Sequence, residues 1–202
     1  MNYIWFNPVV IAMYGEYQLH EFAEKNQFIP AKCLGDWETH VKKRYQETLS
    51  VADKPVVDMR CPKAVDYIRE HFPNQEYTFP DIDPILVHCA KELRESFSEE
   101  HSLTVVTPCA ELASYGENLG LTNTRFIAFN TLLSETGDTM QVTTIESSPI
   151  PPGFFTDVTD QALSLTGEET IHSFFANKTE DSHKLYELLY CHEGCHNGKG
   201  VR

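Results

Sequence analysis

The stretch SLTVVTPCAELASYGENLG (102–120) predicts a β-strand, a turn at Pro108–Cys109 and a helix, in that order. The stretch KPVVDMRCPKAVDYIREHF (54–72) repeats this order, with a short apolar strand, a turn at Cys61 and an amphipathic helix. Strands that alternate with helices usually pair in parallel, because each helix carries the chain back to the start of the next strand. The two stretches therefore predict an α/β fold with mostly parallel strands.

Further segments continue this alternation. RFIAFNTLLSE (125–135) predicts a strand that runs into a helix with Asn130 as its N-cap, and DIDPILVHCAKELRESFSEE (81–100) predicts an amphipathic helix. DSHKLYELLY (181–190) predicts a last helix near the C-terminus. SSPIPPGFF (147–155) is rich in proline and glycine, and we interpret it as a loop between two halves.

The length of 202 residues suits one domain with a sizeable core. We expect a single domain over residues 1–202, formed by lobes 1–146 and 147–202 on either side of the proline-rich loop.

Composition and charge exclude several classes of protein. Hydrophobic residues make up 41% of the chain and charged residues 23%, as in globular proteins, and the net charge of −14 argues against nucleic-acid binding. No apolar run approaches the ~20 residues needed to span a membrane. The start MNYIWFNPVVIAMYGEY (1–17) lacks a basic region, and Glu16 interrupts it, so we interpret it as a strand and the start of a helix rather than a signal peptide. We therefore expect a cytoplasmic protein.

The cysteines are the main candidate metal ligands in this sequence. In a reducing cytosol, clustered cysteines are more often metal ligands than disulfides. We interpret both Cys89 and Cys33 as small buried hydrophobic residues. Cys89 lies near the apolar stripe of its predicted helix, and Cys33 has no partner motif.

The stretch LLYCHEGCHNGKG (188–200) concentrates metal-ligand residues near the C-terminus. Taken alone, it is compatible with haem attachment, with a zinc site built from both cysteines and both histidines, or with half of an iron–sulfur site. Cys191 and Cys195 lie in its glycine-rich turn, while Cys61 and Cys109 each follow a predicted strand beside a proline. Four thiolates in turns suit a [4Fe–4S] cluster or a structural zinc, and the wide separation of Cys61 from Cys109 favours the cluster.

Three segments around these cysteines resemble the motifs of the catalytic domain of [FeFe]-hydrogenases and their hydrogenase-like relatives. That family carries motifs of the form T-S-C-C-P, M-P-C-x-x-K-x-x-E and E-x-M-x-C-x-x-G-C-x-x-G-x-G. This chain has, in the same order, DMRCP (58–62), TPCAELASY (107–115) and ELLYCHEGCHNGKG (187–200). FNPVVIAMYGE (6–16) and FFTDVTDQALSLTGEE (154–169) resemble further parts of the family domain.

The resemblance implies a fold of two lobes of mostly parallel strands flanked by helices, with a metal cluster between the lobes. It also implies that Cys61, Cys109, Cys191 and Cys195 hold a [4Fe–4S] cluster, with Cys195 in the place that bridges to a two-iron subsite.

The chain departs from the family at the residues that serve the two-iron subsite. Arg60 stands where the proton-relay cysteine is expected, Leu112 where a lysine anchors the subsite, and Tyr115 where a glutamate pairs with that lysine. Thr107 and Leu189 replace the flanking methionines. Because arginine does not exchange protons near neutral pH, we expect the two-iron subsite and the hydrogenase reaction to be lost.

The sequence therefore predicts a [4Fe–4S] protein for electron transfer or redox sensing, with a hydrogenase-like oxidoreductase fold and a redox partner protein or further subunit. An active or sensory hydrogenase and a non-enzymatic zinc- or haem-binding domain are the alternatives. No catalytic residue is assigned, and Arg60, His192, His196 and Lys199 are the candidates for residues around the cluster.

Overall fold

The computed structural model of the protein describes residues 1–178 and 182–201. The strands are β1 (Asn2–Phe6), β2 (Ile29–Pro30), β3 (Val56–Val57), β4 (Ser102–Thr107), β5 (Thr124–Ala128), β6 (Ala162–Thr166) and β7 (Leu185–Leu189). The α-helices are α1 (Pro8–Tyr14), α2 (Glu16–Lys25), α3 (Trp37–Val51), α4 (Pro62–His71), α5 (Ile85–Ser96), α6 (Ala110–Glu117), α7 (Phe129–Thr136) and α8 (Glu168–Asn177). A 3-10 turn covers Cys195–Asn197.

The chain folds into two compact units. Unit 1 comprises Met1–Gly35, Leu86–Ile150 and the chain from Cys195 onward, and unit 2 comprises Asp36–Ile85 and Pro151–Gly194. Each unit contains one parallel sheet with helices packed against it.

Unit 1 is built on a sheet with the strand order β2-β1-β4-β5. The register pairs Ile4 with Thr104 and Val105 with Phe126, so the buried strand β4 lies inside the sheet. One core cluster joins α1, α2 and α7 to the sheet around Phe129, which is fully buried and makes an edge contact with Tyr14 at 4.7 Å between ring centroids. This core supports the ends of β4 and β5, where candidate site residues lie.

Unit 2 is built on a sheet with the strand order β3-β7-β6. Every residue of β7 is buried, as expected for a strand with a neighbour on each side. One core cluster packs α4 and α8 on the sheet, and another packs α3 on it through Tyr45 and Phe155. In this way β7 carries the chain through the middle of the unit to Cys191.

The structure confirms the α/β class, since strands in both sheets of the described chain pair in parallel and helices flank them. The strand–turn–helix order predicted for 54–72 and 102–120 is also present, and Pro62 is the first residue of α4. No helix in residues 1–178 and 182–201 has the length and apolar character needed to cross a membrane.

Two local predictions are wrong. The stretch 181–190 was expected to be a helix, but it contains strand β7 because its apolar residues pair with β3 and β6 (residue 181 lies outside the described residues). Asn130 does not cap α7, whose N-cap is Ala128. Asn130 instead donates its side-chain amide to the carbonyl oxygen of Lys199 at 2.6 Å.

Candidate functional site

Cys109 lies in unit 1, in the turn between β4 and α6, and is the N-cap residue of α6. Its sulfur accepts a hydrogen bond from the backbone N–H of Leu112 at 3.4 Å, and the Thr107 hydroxyl donates to the Cys109 carbonyl oxygen at 2.7 Å. The sulfur is half-buried at a helix N-terminus, where backbone N–H groups favour a thiolate. Cys109 thus has the surroundings expected of a thiolate ligand.

The segment that follows Cys195 packs directly on the Cys109 turn within unit 1. A Cβ atom added to Gly200 would lie 2.5 Å from the Pro108 carbonyl oxygen and 2.6 Å from the Cys109 Cα. Asn130 fixes the segment from the other side, because its backbone N–H donates to the Gly200 carbonyl oxygen at 3.0 Å. This backbone contact between Gly200 and Cys109 requires a residue without a side chain.

Cys195 begins the 3-10 turn and packs against the core of unit 1. The Tyr14 hydroxyl donates to the Val201 carbonyl oxygen at 2.9 Å and so fastens the C-terminal segment to α1. Both Cys109 and Cys195 are therefore held by unit 1.

Cys61 lies in unit 2, between β3 and α4, and is the N-cap residue of α4. Its sulfur accepts a hydrogen bond from the backbone N–H of Tyr190. Burial raises the pKa of the Cys61 thiol to about 11, and the neighbouring Cys191 adds to the rise. Cys61 and Cys191 are thus close in space although 130 positions separate them in sequence (191 − 61).

The loop that carries Cys191 is fixed to the end of β6 in unit 2. The Glu193 backbone N–H donates to the Thr166 hydroxyl at 3.2 Å, and Gly194 donates to the Cys191 carbonyl oxygen at 3.2 Å. Glu193 and Gly194 both have positive φ values, 58° and 120°, which turn the chain sharply after Cys191. The loop therefore has a defined backbone path next to Cys61.

Arg60, the neighbour of Cys61, lies in a buried cluster with Asp58 and Glu187. Its guanidinium contacts Asp58 at 2.9 Å and Glu187 at 2.6 Å, and the exposed fractions of the three side chains are 5%, 0% and 1%. The guanidinium also lies over the Phe154 ring, 3.9 Å from its centroid. Burial raises the pKa of Asp58, while the Arg60 guanidinium opposes this rise. Arg60 is thus engaged by two carboxylates.

Glu187 links this cluster to the proline-rich loop of unit 2. Its carboxylate accepts backbone hydrogen bonds from Gly153 at 2.8 Å and from Phe154 at 3.1 Å, in addition to its contact with Arg60. Since Arg60 adjoins Cys61 and Glu187 lies on β7 ahead of Cys191, the cluster connects the two chain segments that lead to these cysteines.

Other residues expected around a metal site have different surroundings. The side chain of His192 is 74% exposed, whereas His196 is 2% exposed and so is buried. Lys199 is exposed, and its carbonyl oxygen accepts from Asn130. Leu112 and Leu189, which stand at positions where the resemblance implies subsite residues, are both buried and apolar.

The structure thus places Cys61 beside Cys191 in unit 2, and places Cys109 in contact with the segment after Cys195 in unit 1. Within the described parts of the chain, no three His, Cys, Asp or Glu side chains are grouped so as to hold a metal ion. Sequence reasoning missed the burial of Asp58 and Glu187 around Arg60. One signal was present: Asp58 follows an apolar strand directly, at the end of a parallel strand where polar groups often have a role.

We expect Gly200→Ala to loosen the C-terminal segment from the Cys109 turn. The added Cβ would overlap backbone atoms, which cannot rotate away as a side chain can. The variant should lose about 1–3 kcal/mol of unfolding free energy, and the Cys109 thiol of the metal-free protein should react faster with a maleimide. Gly120→Ala is the control for strain without a clash: a Cβ there meets no atom within 4 Å, but the φ of +63° strains an alanine, so stability should fall while the labelling of Cys109 stays unchanged. Unchanged labelling of Cys109 in Gly200→Ala would contradict the expected contact.

No family model matches this sequence, and a comparison with curated proteins gives no significant match. Among solved structures, a variant of the [FeFe]-hydrogenase HydA1 from Chlamydomonas reinhardtii is similar, with a TM-score of 0.54. The alignment covers 98% of this chain and 79% of that chain, at 10% sequence identity. This likeness extends over nearly the whole chain and concerns the fold, which is hydrogenase-like.

Proposed function

We propose that this protein binds a [4Fe–4S] cluster through Cys61, Cys109, Cys191 and Cys195, and acts in electron transfer or redox sensing without activating H2. The observation that carries the proposal is the equivalent setting of Cys61 and Cys109. Each follows a buried parallel strand, occupies the N-cap position of the next helix and has a sulfur that accepts a backbone N–H group. Hydrogen bonds to sulfur stabilise thiolates and tune iron–sulfur clusters.

The donor set suits the proposed cluster. Four cysteine thiolates are the usual ligands of a [4Fe–4S] cluster, which when bound accepts and releases one electron at a time. The raised pKa of Cys61 means that the metal must displace a proton, so cluster loading should be favoured at higher pH. We further propose that the chain is a divergent member of the hydrogenase-like family, which its motif order and its hydrogenase-like fold support.

The surroundings of Arg60 support the loss of the hydrogenase reaction. A proton relay needs a group that gains and loses a proton near neutral pH, but Arg60 is a permanent cation held by Asp58 and Glu187. Leu112 offers a buried apolar side chain where an anionic subsite would need a cation. These residues secure the fold next to the cysteines and supply neither proton transfer nor cationic anchoring.

We propose a redox partner protein or a further subunit as the electron donor or acceptor. The net charge of −14 favours a partner with a basic docking surface, since complementary charge speeds association. We also propose a cytoplasmic location, because clustered cysteines in a reducing compartment are more often metal ligands than disulfides.

The proposal is tested on the whole protein, reconstituted anaerobically with iron and sulfide. We expect about four iron and about four sulfide ions per chain, as one cubane cluster requires, together with a broad visible absorption that bleaches on reduction. One zinc per chain without sulfide would overturn the cluster assignment. Infrared bands of cyanide and carbonyl ligands after maturation would instead show a two-iron subsite, and would overturn the proposed loss of the hydrogenase reaction.

A further inference from the structure

Cys33 and Cys89 form a thiol pair in unit 1 that has no part in the proposed cluster. Cys33 lies in the loop between β2 and α3, and Cys89 lies on α5, one turn before Glu92. The Cys89 thiol donates a hydrogen bond to the Cys33 sulfur, and the Cys33 thiol donates to the Glu92 carboxylate at 3.1 Å. Two sulfur atoms 56 positions apart in sequence (89 − 33) are thus in direct contact.

Glu92 holds the loop in place around the thiol pair. Its carboxylate accepts the backbone N–H groups of Leu34 at 2.8 Å and Gly35 at 3.0 Å, in addition to the Cys33 thiol. The loop that carries Cys33 is therefore fastened to α5 at the position of Cys89, which keeps the two sulfurs together.

We propose that Cys33 and Cys89 form a reversible disulfide and make this loop a site of thiol oxidation. The two cysteines differ in access, because Cys33 is half-buried beside Leu34, which is 80% exposed, whereas Cys89 is 7% exposed. Cys33 is the thiol that an oxidant meets first, and Cys89 is the thiol that resolves the product. The sulfurs must approach to ~2.05 Å for the bond, a movement that the loop can supply.

The reaction takes a low-molecular-weight disulfide as its oxidant and is balanced in two steps. The Cys33 thiolate attacks one sulfur of the disulfide, breaks its S–S bond and displaces one small thiolate. The Cys89 thiolate then attacks the Cys33 sulfur and displaces the second small thiolate. Overall, two protein thiols lose two protons and two electrons, and the small disulfide is reduced to two thiols that take up the protons.

The rate of this oxidation should rise with pH. Burial raises the pKa of Cys33 and Glu92 adds to the rise, while the neighbouring Cys89 thiol and the Gly35 N–H oppose it by donating to the sulfur. Burial likewise raises the pKa of Cys89. Because the thiolate is the attacking species, its fraction below the pKa grows up to about tenfold per pH unit.

A Cys33–Cys89 bond would lie close in sequence to two of the places where the chain passes between the units. The chain leaves unit 1 after Gly35 and returns to it at Leu86. The bond would close a covalent loop around residues 36–85, the first segment of unit 2. A loop of that length restricts the unfolded chain strongly, so the disulfide is expected to stabilise the protein.

The test is exposure of the whole reduced protein to oxidised glutathione, followed by proteolysis without reductant and mass spectrometry. We expect a peptide pair that links Cys33 to Cys89, formed faster at about pH 8.5 than at about pH 7, and a rise of about 5–10 °C in the unfolding midpoint. Cys89→Ser should stop at a Cys33–glutathione mixed disulfide. Glu92→Gln, which keeps an acceptor but removes the charge, should speed the oxidation severalfold at neutral pH.

Several outcomes would overturn the proposal: no linked peptide, a mixed disulfide at Cys33 that persists although Cys89 is present, or links formed chiefly by other cysteines. The result is independent of the cluster, because reconstitution with iron does not require Cys33 or Cys89. Equal oxidation rates of Glu92→Gln and the natural protein would remove Glu92 from the proposed mechanism.

Discussion

Replacement of Cys109 by serine is expected to abolish the [4Fe–4S] cluster while leaving the fold intact. The Cys109 sulfur caps α6 through the Leu112 N–H, and serine is among the best N-cap residues, so the helix should keep its start. A serine hydroxyl, however, is a harder and more weakly acidic ligand than a thiol, and iron–sulfur clusters prefer thiolates. Iron content after anaerobic reconstitution should fall from about four per chain to about one or fewer, with loss of the visible absorption.

The matched control for this variant is Cys33→Ser. Cys33 is also a half-buried cysteine of unit 1, but its thiol pairs with Cys89 and Glu92 rather than capping a helix after a parallel strand. It should retain the full iron content, and circular dichroism should show that both variants fold. If Cys109→Ser binds as much iron as the natural protein, the site shared by four cysteines is wrong.

The parts of the fold that follow from local chemistry could be predicted from the sequence. Cys61-Pro62 and Pro108-Cys109 both mark a turn after a β-branched run, and in both places a strand ends and a helix begins as expected. Proline at the first helical position and apolar periodicity are properties of neighbouring residues. They act before any distant part of the chain is in place.

Strand β7 shows where local information fails. Leu185, Tyr186, Leu188 and Leu189 have the spacing of one helix face, yet the same residues fill a strand that is buried on both sides. The choice between the two is made by β3 and β6, which supply backbone partners for β7 on both edges. Those partners lie elsewhere in the chain, so pattern alone could not exclude the helix.

The candidate site likewise combines features of neighbouring residues, which the sequence predicts, with contacts between distant residues, which it does not. The sequence identified the setting of Cys61 and Cys109, because a cysteine at a helix start is a local feature. It did not identify the contact of Cys33 with Cys89 or the burial of Glu187 against Arg60, since these contacts join residues far apart in sequence. Charged residues are usually exposed, and nothing next to Glu187 in sequence marks it as an exception.

Replacement of Arg60 by methionine is expected to destabilise the protein more than any exposed charge change. It removes the cation between Asp58 and Glu187, whose side chains are 0% and 1% exposed. Both buried carboxylates then lose their ion pair with Arg60. Loss of one partner from a buried ion pair typically costs about 3–5 kcal/mol of unfolding free energy. Urea unfolding followed by circular dichroism measures this loss.

Arg69→Met provides the comparison within the same unit. Arg69 lies on α4 with a side chain 51% exposed and 3.9 Å from Asp66, and surface pairs of this kind contribute at most about 1 kcal/mol. A similar loss of stability in Arg60→Met and Arg69→Met would show that the buried cluster contributes no more to the unfolding free energy than a surface ion pair.

The pH dependence of the stability of Arg60→Met identifies which carboxylate causes the loss of stability. Burial already raises the pKa of Asp58, and without the opposing guanidinium that pKa should rise further. A carboxyl group whose pKa is higher in the folded than in the unfolded state takes up a proton on folding, so stability is gained as pH falls. The stability gap between the variant and the natural protein should therefore narrow from about pH 7.5 to about pH 5.5. Adding Asp58→Asn should recover part of the loss at neutral pH and reduce this dependence, whereas a gap that stays constant with pH would exclude Asp58 as its cause.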